Sequence, residues 1–391
     1  MGISLGGHTL PESVERLVAQ FWYSPQAVTP DAEREAKIAD PKFGQVFTDH
    51  MARISWARGK GWADQRVVPY GPLALDPATA VLHYAQEVFE GLKAYRHQDG
   101  TIWAFRPEMN AKRFNKSAQR LALPELPVDM FVAACAALVR ADKNWVPTAP
   151  GTSLYLRPFM FASEAFLGVR AANNVEFLVI ASPAGNYFSG GVKPISIWVD
   201  SKYHRAAPGG TGAAKCGGNY AASLLPQQIA ASQGFDQVCY LDVNKDGHIE
   251  ELGGMNLMFV RTDGTIETPK LSGSILDGIT RDSLLKLARD RGHHVIERPI
   301  RLSEVVADLE AGKIAEVFAC GTAAVVTPVG RLAGEIPNGV ELSDGARAPY
   351  KFDLRVGGGE PGTLTMELRD ALTAIQYGTA PDKHGWLTRL V

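Results

Sequence analysis

"GGTGAAKCGGNYAASLL", residues 209–225, sets one lysine, Lys215, among glycines and alanines, with Tyr220 five residues further on. A lysine usually decorates a helix face or a solvated surface, and this stretch offers neither. Burial disfavours the ammonium form of an amine, and an unprotonated amine can condense with an aldehyde cofactor. The glycines leave room for a flat ring against the backbone. Taken alone, a lysine in a glycine-rich stretch is more often a solvated loop residue. Its company decides the reading.

"HIEELGGMNLMFV", residues 248–260, places Glu250 and Glu251 directly before a glycine pair and an apolar strand. A carboxylate there can keep a pyridine nitrogen protonated, which makes the ring an electron sink. Adjacent residues on a strand face opposite sides, so only one of the two glutamates can serve. The plainer alternative is a solvated hairpin edge. In "GSILDGITRDSLLKLARDRG", residues 273–292, Gly278-Ile279-Thr280 immediately precede an amphipathic helix whose free N–H groups suit a phosphate, although Thr280 is as readily a simple N-cap. "ACGTAAVV" interrupts an apolar strand at Gly321-Thr322-Ala323, a turn able to offer N–H groups to an anion, or else a β-bulge. Arg106, Arg157 and Arg205 sit in or beside strand-like segments, where an arginine meets an anion or an ordinary ion-pair partner.

The rest of the chain narrows the classes. Its 391 residues are 46% hydrophobic, enough for more than one core, and the net charge of −2 gives no reason to expect nucleic acid or an anionic membrane as partner. The four cysteines (Cys135, Cys216, Cys239, Cys320) show neither a CxxC pair nor a metal spacing, so free thiols and no metal site are expected. The N-terminus lacks the basic start and apolar run of a secretory signal, and no apolar stretch reaches the roughly 18 residues that span a bilayer. These features point to a soluble cytoplasmic protein.

Strand-like and helical stretches mix without a strict βαβ rhythm, and no GxGxxG follows a strand, so the expected class is α+β in two domains. Residues 1–42 read as an N-terminal extension within a small domain of residues 1–181. The Gly/Ser/Pro-rich stretch 182–192 reads as a linker, and 193–391 as a larger domain. Hairpins are predicted about Gln98-Asp99-Gly100 and Asp263-Gly264, and helices over 109–121, 128–143 and 280–292. A further helix is predicted over 302–313, with Ser303 as its N-cap, and "AEVFACGTAAVVTPV" is taken as one interrupted strand.

In order, "FGQVFTDHM", "HYAQEVFEGLKAYR", "FRPEMNAKR", "SLYLRPF", "GTGAAKCGGNYAASL", "EELGGMNLMFV", "ILDGITR" and "CGTAAVVTPV" resemble the branched-chain amino acid aminotransferases, pyridoxal-phosphate enzymes of fold type IV. The resemblance runs from about Phe43 to residue 378 and implies a homodimer. It puts the cofactor lysine on Lys215, the phenol near the ring oxygen on Tyr220 and the carboxylate on the pyridine nitrogen on Glu251. It implies phosphate ligands at Arg106, Arg205, Ile279, Thr280 and Thr322. The substrate carboxylate falls to Thr322, Ala323 and Tyr155, and the distal carboxylate of glutamate to Arg157. The side-chain pocket is implied to be Phe43, Tyr84 and Phe89, with Leu167 and Val169 from the partner subunit. The implied substrates are small molecules: branched-chain amino acids, glutamate and 2-oxo acids. The nearest rivals are a D-amino acid aminotransferase and an aminodeoxychorismate lyase of the same fold. Gly254 stands where relatives often have threonine, and "AAVVTP" lacks the CxxC of the mammalian members.

Overall fold

The computed structural model describes residues 6–24, 28–41, 43–185, 191–243, 247–336 and 350–391. Helices and sheets are mixed along the chain, in two compact units. One unit comprises residues 1–189, 214–217 and 374–391, the other 190–213 and 218–373. The expected division into 1–181 and 193–391 does not include these returns of the chain. The final strand, Leu387–Arg389, explains the last one, because it pairs antiparallel with Ile102–Phe105 of the first unit.

Among the described residues the first unit carries a ten-stranded sheet. Its long central pair, Ser153–Ala162 and Asn174–Ala184, is antiparallel and almost wholly apolar on its buried face. The second of these strands continues through Ala184, so Ser182–Ala184 belong to the sheet and not to the linker expected at 182–192. Residues 186–190 of that stretch lie outside the described residues. The helix Val128–Ala141 is buried without interruption from Phe131 to Val139. The rings of Phe114, Phe131 and Phe177 meet at centroid distances of 5.4–5.8 Å. Burying three such rings contributes on the order of 5–9 kcal/mol before entropy is counted.

Among the described residues the second unit carries a nine-stranded mixed sheet. Both predicted hairpins form: Leu92–Arg96 pairs with Ile102–Phe105 in the first unit, and Asn256–Arg261 with Ile266–Pro269 in the second. Two local expectations fail. Ser303 lies inside the helix Leu302–Glu310, whose N-cap is Arg301. The interrupted strand is a hairpin, Ile314–Gly321 against Val325–Ile336. Its turn closes on Val325 at φ 62°, a left-handed conformation that a β-branched residue adopts only under constraint.

Candidate functional site

In the first unit, strand pairing gathers three of the predicted substrate residues, Phe89, Tyr155 and Arg157. Glu87–Phe89 and Leu92–Arg96 both lie against Ser153–Ala162, which aligns Phe89 with Phe159 and Lys93 with Tyr155. Between them Gly91 is forced, because a Cβ there would collide with the Tyr155 hydroxyl. Arg157 donates to that hydroxyl at 3.0 Å and lies 4.7 Å from the Phe89 ring centroid. Phe43 meets Tyr155 edge-on at 5.2 Å. Phe43, Phe89, Tyr155 and Arg157 therefore form one patch. Tyr84 stands apart from these contacts, its hydroxyl donating to the Leu167 carbonyl. Leu167 and Val169 are 65% and 89% exposed.

Residues 214–217 belong to this unit, and hydrogen bonds show why. The Lys215 N–H donates to Ser117 Oγ at 2.9 Å, its carbonyl accepts from Phe89 N–H at 3.0 Å, and Gly217 N–H donates to Glu87. The lysine's backbone is thus fixed on both sides, and its Nζ lies 4.9 Å from the Phe89 ring centroid. Two carboxyls flank this stretch. Burial raises Glu87, against the pull of Gly217 N–H and the Arg157 charge. Glu90 is fully buried, which alone would raise it. The Arg113 charge and bidentate contact, the Lys215 charge and Asn110 outweigh burial and hold it below its ordinary value. Arg113 donates to both Glu90 oxygens at 2.7 and 2.8 Å, and Asn110 to one at 2.7 Å.

Arg106, also in this unit, occupies the N-cap of Pro107–Arg120 at φ 53°, a strained conformation for a non-glycine residue. Its guanidinium lies 5.3 Å from the Trp386 ring centroid.

In the second unit the remaining motifs converge on Gly253–Asn256. The strand pairing Asn256↔Cys320 brings the Thr322–Ala323 turn beside Gly254 and Met255. A Cβ on Gly321 would come within 3.3 Å of Met255 and 3.4 Å of the Gly254 carbonyl. The ring of Tyr220 flanks the same point, 3.9 Å from a Cβ placed on Gly254. Gly278, the N-cap of Ile279–Asp290, approaches Asn256 so closely that a Cβ would collide with its Oδ1. Thr280 is the second helical residue rather than the cap, and both Ile279 and Thr280 are buried.

Glu250 and Glu251 are both buried in the strand Ile249–Leu252, not on a solvated edge. Alternation separates them as expected. Glu251 accepts from Arg205, from Asn256 Nδ2 at 2.9 Å and from Leu276 N–H at 2.9 Å. Glu250 accepts from Ser274 instead. Arg205 donates through one nitrogen to Glu251, to the Gly212 carbonyl at 2.9 Å and to the Ser274 carbonyl at 3.3 Å. Its Nε is buried without a hydrogen-bond partner among the described residues. An arginine with an unused inward donor is equipped to receive an anion.

Three supporting residues escaped the sequence reading: Asn256, Glu90 and Arg113. Asn256 closely follows the glutamate-glycine motif, and Glu90 is a lone acid between Phe89 and Gly91 in an apolar run, which was the available signal. Burial pushes the thiols of Cys135, Cys239 and Cys320 up, the last to about 12, which leaves them unreactive.

Residues 87–332 match the model of the amino-transferase class IV family. A probable branched-chain-amino-acid aminotransferase of Streptomyces coelicolor is 56% identical over 92% of this chain and 95% of its own length. A branched-chain-amino-acid aminotransferase of Mycobacterium tuberculosis is 54% identical over 93% of this chain and 97% of its own. The crystal structure of the Escherichia coli branched-chain amino acid aminotransferase superposes with a TM-score of 0.68, at 30% identity over 87% of this chain and all of that one. The branched-chain amino acid aminotransferase of Thermobaculum terrenum, solved in its PLP-bound holo form, gives 0.67 at 26% identity over 86% of this chain and 98% of that one. The chain belongs to the class IV aminotransferases, and within that family to the branched-chain amino acid aminotransferases of fold type IV.

Proposed function

We propose that the protein is a pyridoxal 5'-phosphate-dependent branched-chain amino acid aminotransferase. It moves the amino group of L-leucine, L-isoleucine or L-valine reversibly to 2-oxoglutarate in two half-reactions. The observation that carries the reading is Lys215, held by its own N–H and carbonyl to Ser117 and Phe89 in a segment built for close approach. Bound pyridoxal phosphate supplies an aldehyde to take up the amino group and a ring to withdraw electrons.

The chain's own residues do the rest. Lys215 would hold the cofactor and would accept at Nζ the proton of the substrate Cα. Glu251 keeps the pyridine nitrogen protonated, and its three donors hold the carboxylate in one orientation. Tyr220 would face the ring oxygen. The unpartnered Arg205 Nε, Arg106 and the helix start at Ile279 and Thr280 suit the phosphate, with Thr322 beside them. The N–H groups of Thr322 and Ala323 and the Tyr155 hydroxyl take the α-carboxylate. Phe43, Tyr84 and Phe89 wall the apolar side chain. Arg157, whose buried Nε has no partner among the described residues, takes the distal carboxylate of glutamate.

The exposed apolar side chains of Leu167 and Val169 support a homodimer in which each completes its partner's pocket. No helix among the described residues is long and apolar enough to cross a membrane. Buried free thiols support a cytoplasmic setting. Assaying L-leucine against D-alanine with 2-oxoglutarate tests the substrate class. Turnover of L-leucine alone is expected, and preference for D-alanine refutes the reading in favour of the D-amino acid enzymes.

A further inference from the structure

Arg106 sits at a corner of the first unit: the strand Ile102–Phe105 ends just before it and the helix Pro107–Arg120 begins just after it. It is buried and holds φ at 53°, a left-handed conformation that residues with a side chain disfavour. Such a residue stays in place only when its surroundings hold it there. Part of that hold comes from the last residues of the chain. The Arg106 N–H donates to the Trp386 carbonyl at 2.7 Å, and its guanidinium carbon lies over the Trp386 ring, 5.3 Å from the centroid.

Trp386 is itself fixed. The strand Leu387–Arg389 pairs with Ile102–Phe105, which aligns Leu387 with Phe105, and the Leu387 N–H donates to Asp382 at 2.7 Å. The Trp386 ring is buried, meets Phe105 edge-on at 5.5 Å and stacks with His384 at 4.3 Å. Two residues further on, the Thr388 hydroxyl donates at 3.1 Å to Glu108, in the first turn of the helix that Arg106 caps. A ring face attracts a cation within about 6 Å, and tryptophan does so better than tyrosine or phenylalanine. It accepts none of the cation's N–H bonds in doing so. A guanidinium can thus be restrained by the ring while its donors serve an anion.

We infer that Trp386 is a positioning residue for the phosphate end of the cofactor, its ring bracing the Arg106 guanidinium at the strand–helix corner. The inference rests on the reading of Arg106 as a phosphate ligand. The Arg106 N–H bonds the carbonyl of Trp386, so replacing the side chain removes the ring and spares that bond. The brace acts on one cation. Its loss therefore bears on the phosphate of the cofactor and not on the aldehyde.

The test titrates the full chain, freed of cofactor, with pyridoxal phosphate and separately with pyridoxal, which lacks the phosphate. Binding is read by visible absorption. Trp386→Leu is expected to weaken pyridoxal phosphate about tenfold and pyridoxal less than about twofold. Trp386→Phe keeps a ring face, carries the test if Trp386→Leu does not fold, and is expected to lose about threefold, again for the phosphorylated ligand alone. A purely structural role would weaken both ligands alike. Equal losses for the two ligands, or wild-type affinity for pyridoxal phosphate in the folded variants, overturn the inference. Arg106→Ala separates the two ways of failing. A phosphate-selective loss there with none in the Trp386 variants overturns the brace alone. No selective loss in Arg106→Ala overturns the phosphate assignment, and the brace with it.

Discussion

Glu90 in the first unit and Glu251 in the second are both buried carboxylates held by arginine, and they differ in what is left over. Glu90 takes two bonds from Arg113, one from Asn110 and one from Gly91 N–H, and its network closes on itself. Glu251 is also well held, but its arginine is not: Arg205 keeps a buried Nε without a partner among the described residues. Burial and ion pairing are thus alike at the two acids, and the spare donor of Arg205 is the feature that the proposed cofactor site would use.

Substitutions can break this contrast, and the largest effect belongs to the lysine that lies between the two motifs in sequence. Lys215→Ala is expected to lower transamination by roughly 10³-fold or more, since both the covalent anchor and the base are lost. It should also abolish the visible absorption of the bound cofactor. An active, coloured variant contradicts the assignment.

Next come the two arginines. Arg113→Ala leaves Glu90 charged and without its cation in the core, and is expected to lower stability by about 3–5 kcal/mol in thermal or urea unfolding, with or without cofactor. Arg205→Ala leaves Glu251 with Asn256 and Leu276 N–H, so its loss should appear chiefly as cofactor affinity, weaker by about tenfold. If Arg113→Ala weakens cofactor binding as much as Arg205→Ala does, the distinction between closed and open networks fails.

A smaller effect sharpens the same point at another closed pair. His50 Nδ1 lies 2.6 Å from Asp142, a bond that raises the imidazole above its ordinary value, with burial opposing and the charges of Asp142 and Asp49 assisting. A raised histidine contributes its stability fully below the unfolded value of about 6.5 and loses it as pH rises through the folded value. The melting-temperature deficit of His50→Gln should accordingly be larger at acidic than at alkaline pH. A deficit that grows with pH would show the pair to be uncharged.

Much of this was legible in the sequence because the informative residues are chemically odd for their surroundings. A lysine among glycines, two acids before a glycine pair and a threonine after an apolar strand stand out at once. Hairpins about Asp99-Gly100 and Asp263-Gly264 follow from turn chemistry alone. Tertiary context hid the rest. Ser303 has the right chemistry for a cap, yet Leu302 N–H bonds the Gly247 carbonyl and the helix begins one residue earlier. Nothing local announces that Val325 reverses the chain, because the strand pairing Gly321↔Val325 imposes its conformation. The side-chain partners of Glu90 lie 20 and 23 positions away, beyond any spacing argument.

The most direct measurement is chemical. Purified holoenzyme is reduced with borohydride, digested and mapped by mass spectrometry. The account predicts a single phosphopyridoxyl adduct on the peptide containing Lys215. An adduct on another lysine, or none after saturation with pyridoxal phosphate, would contradict it.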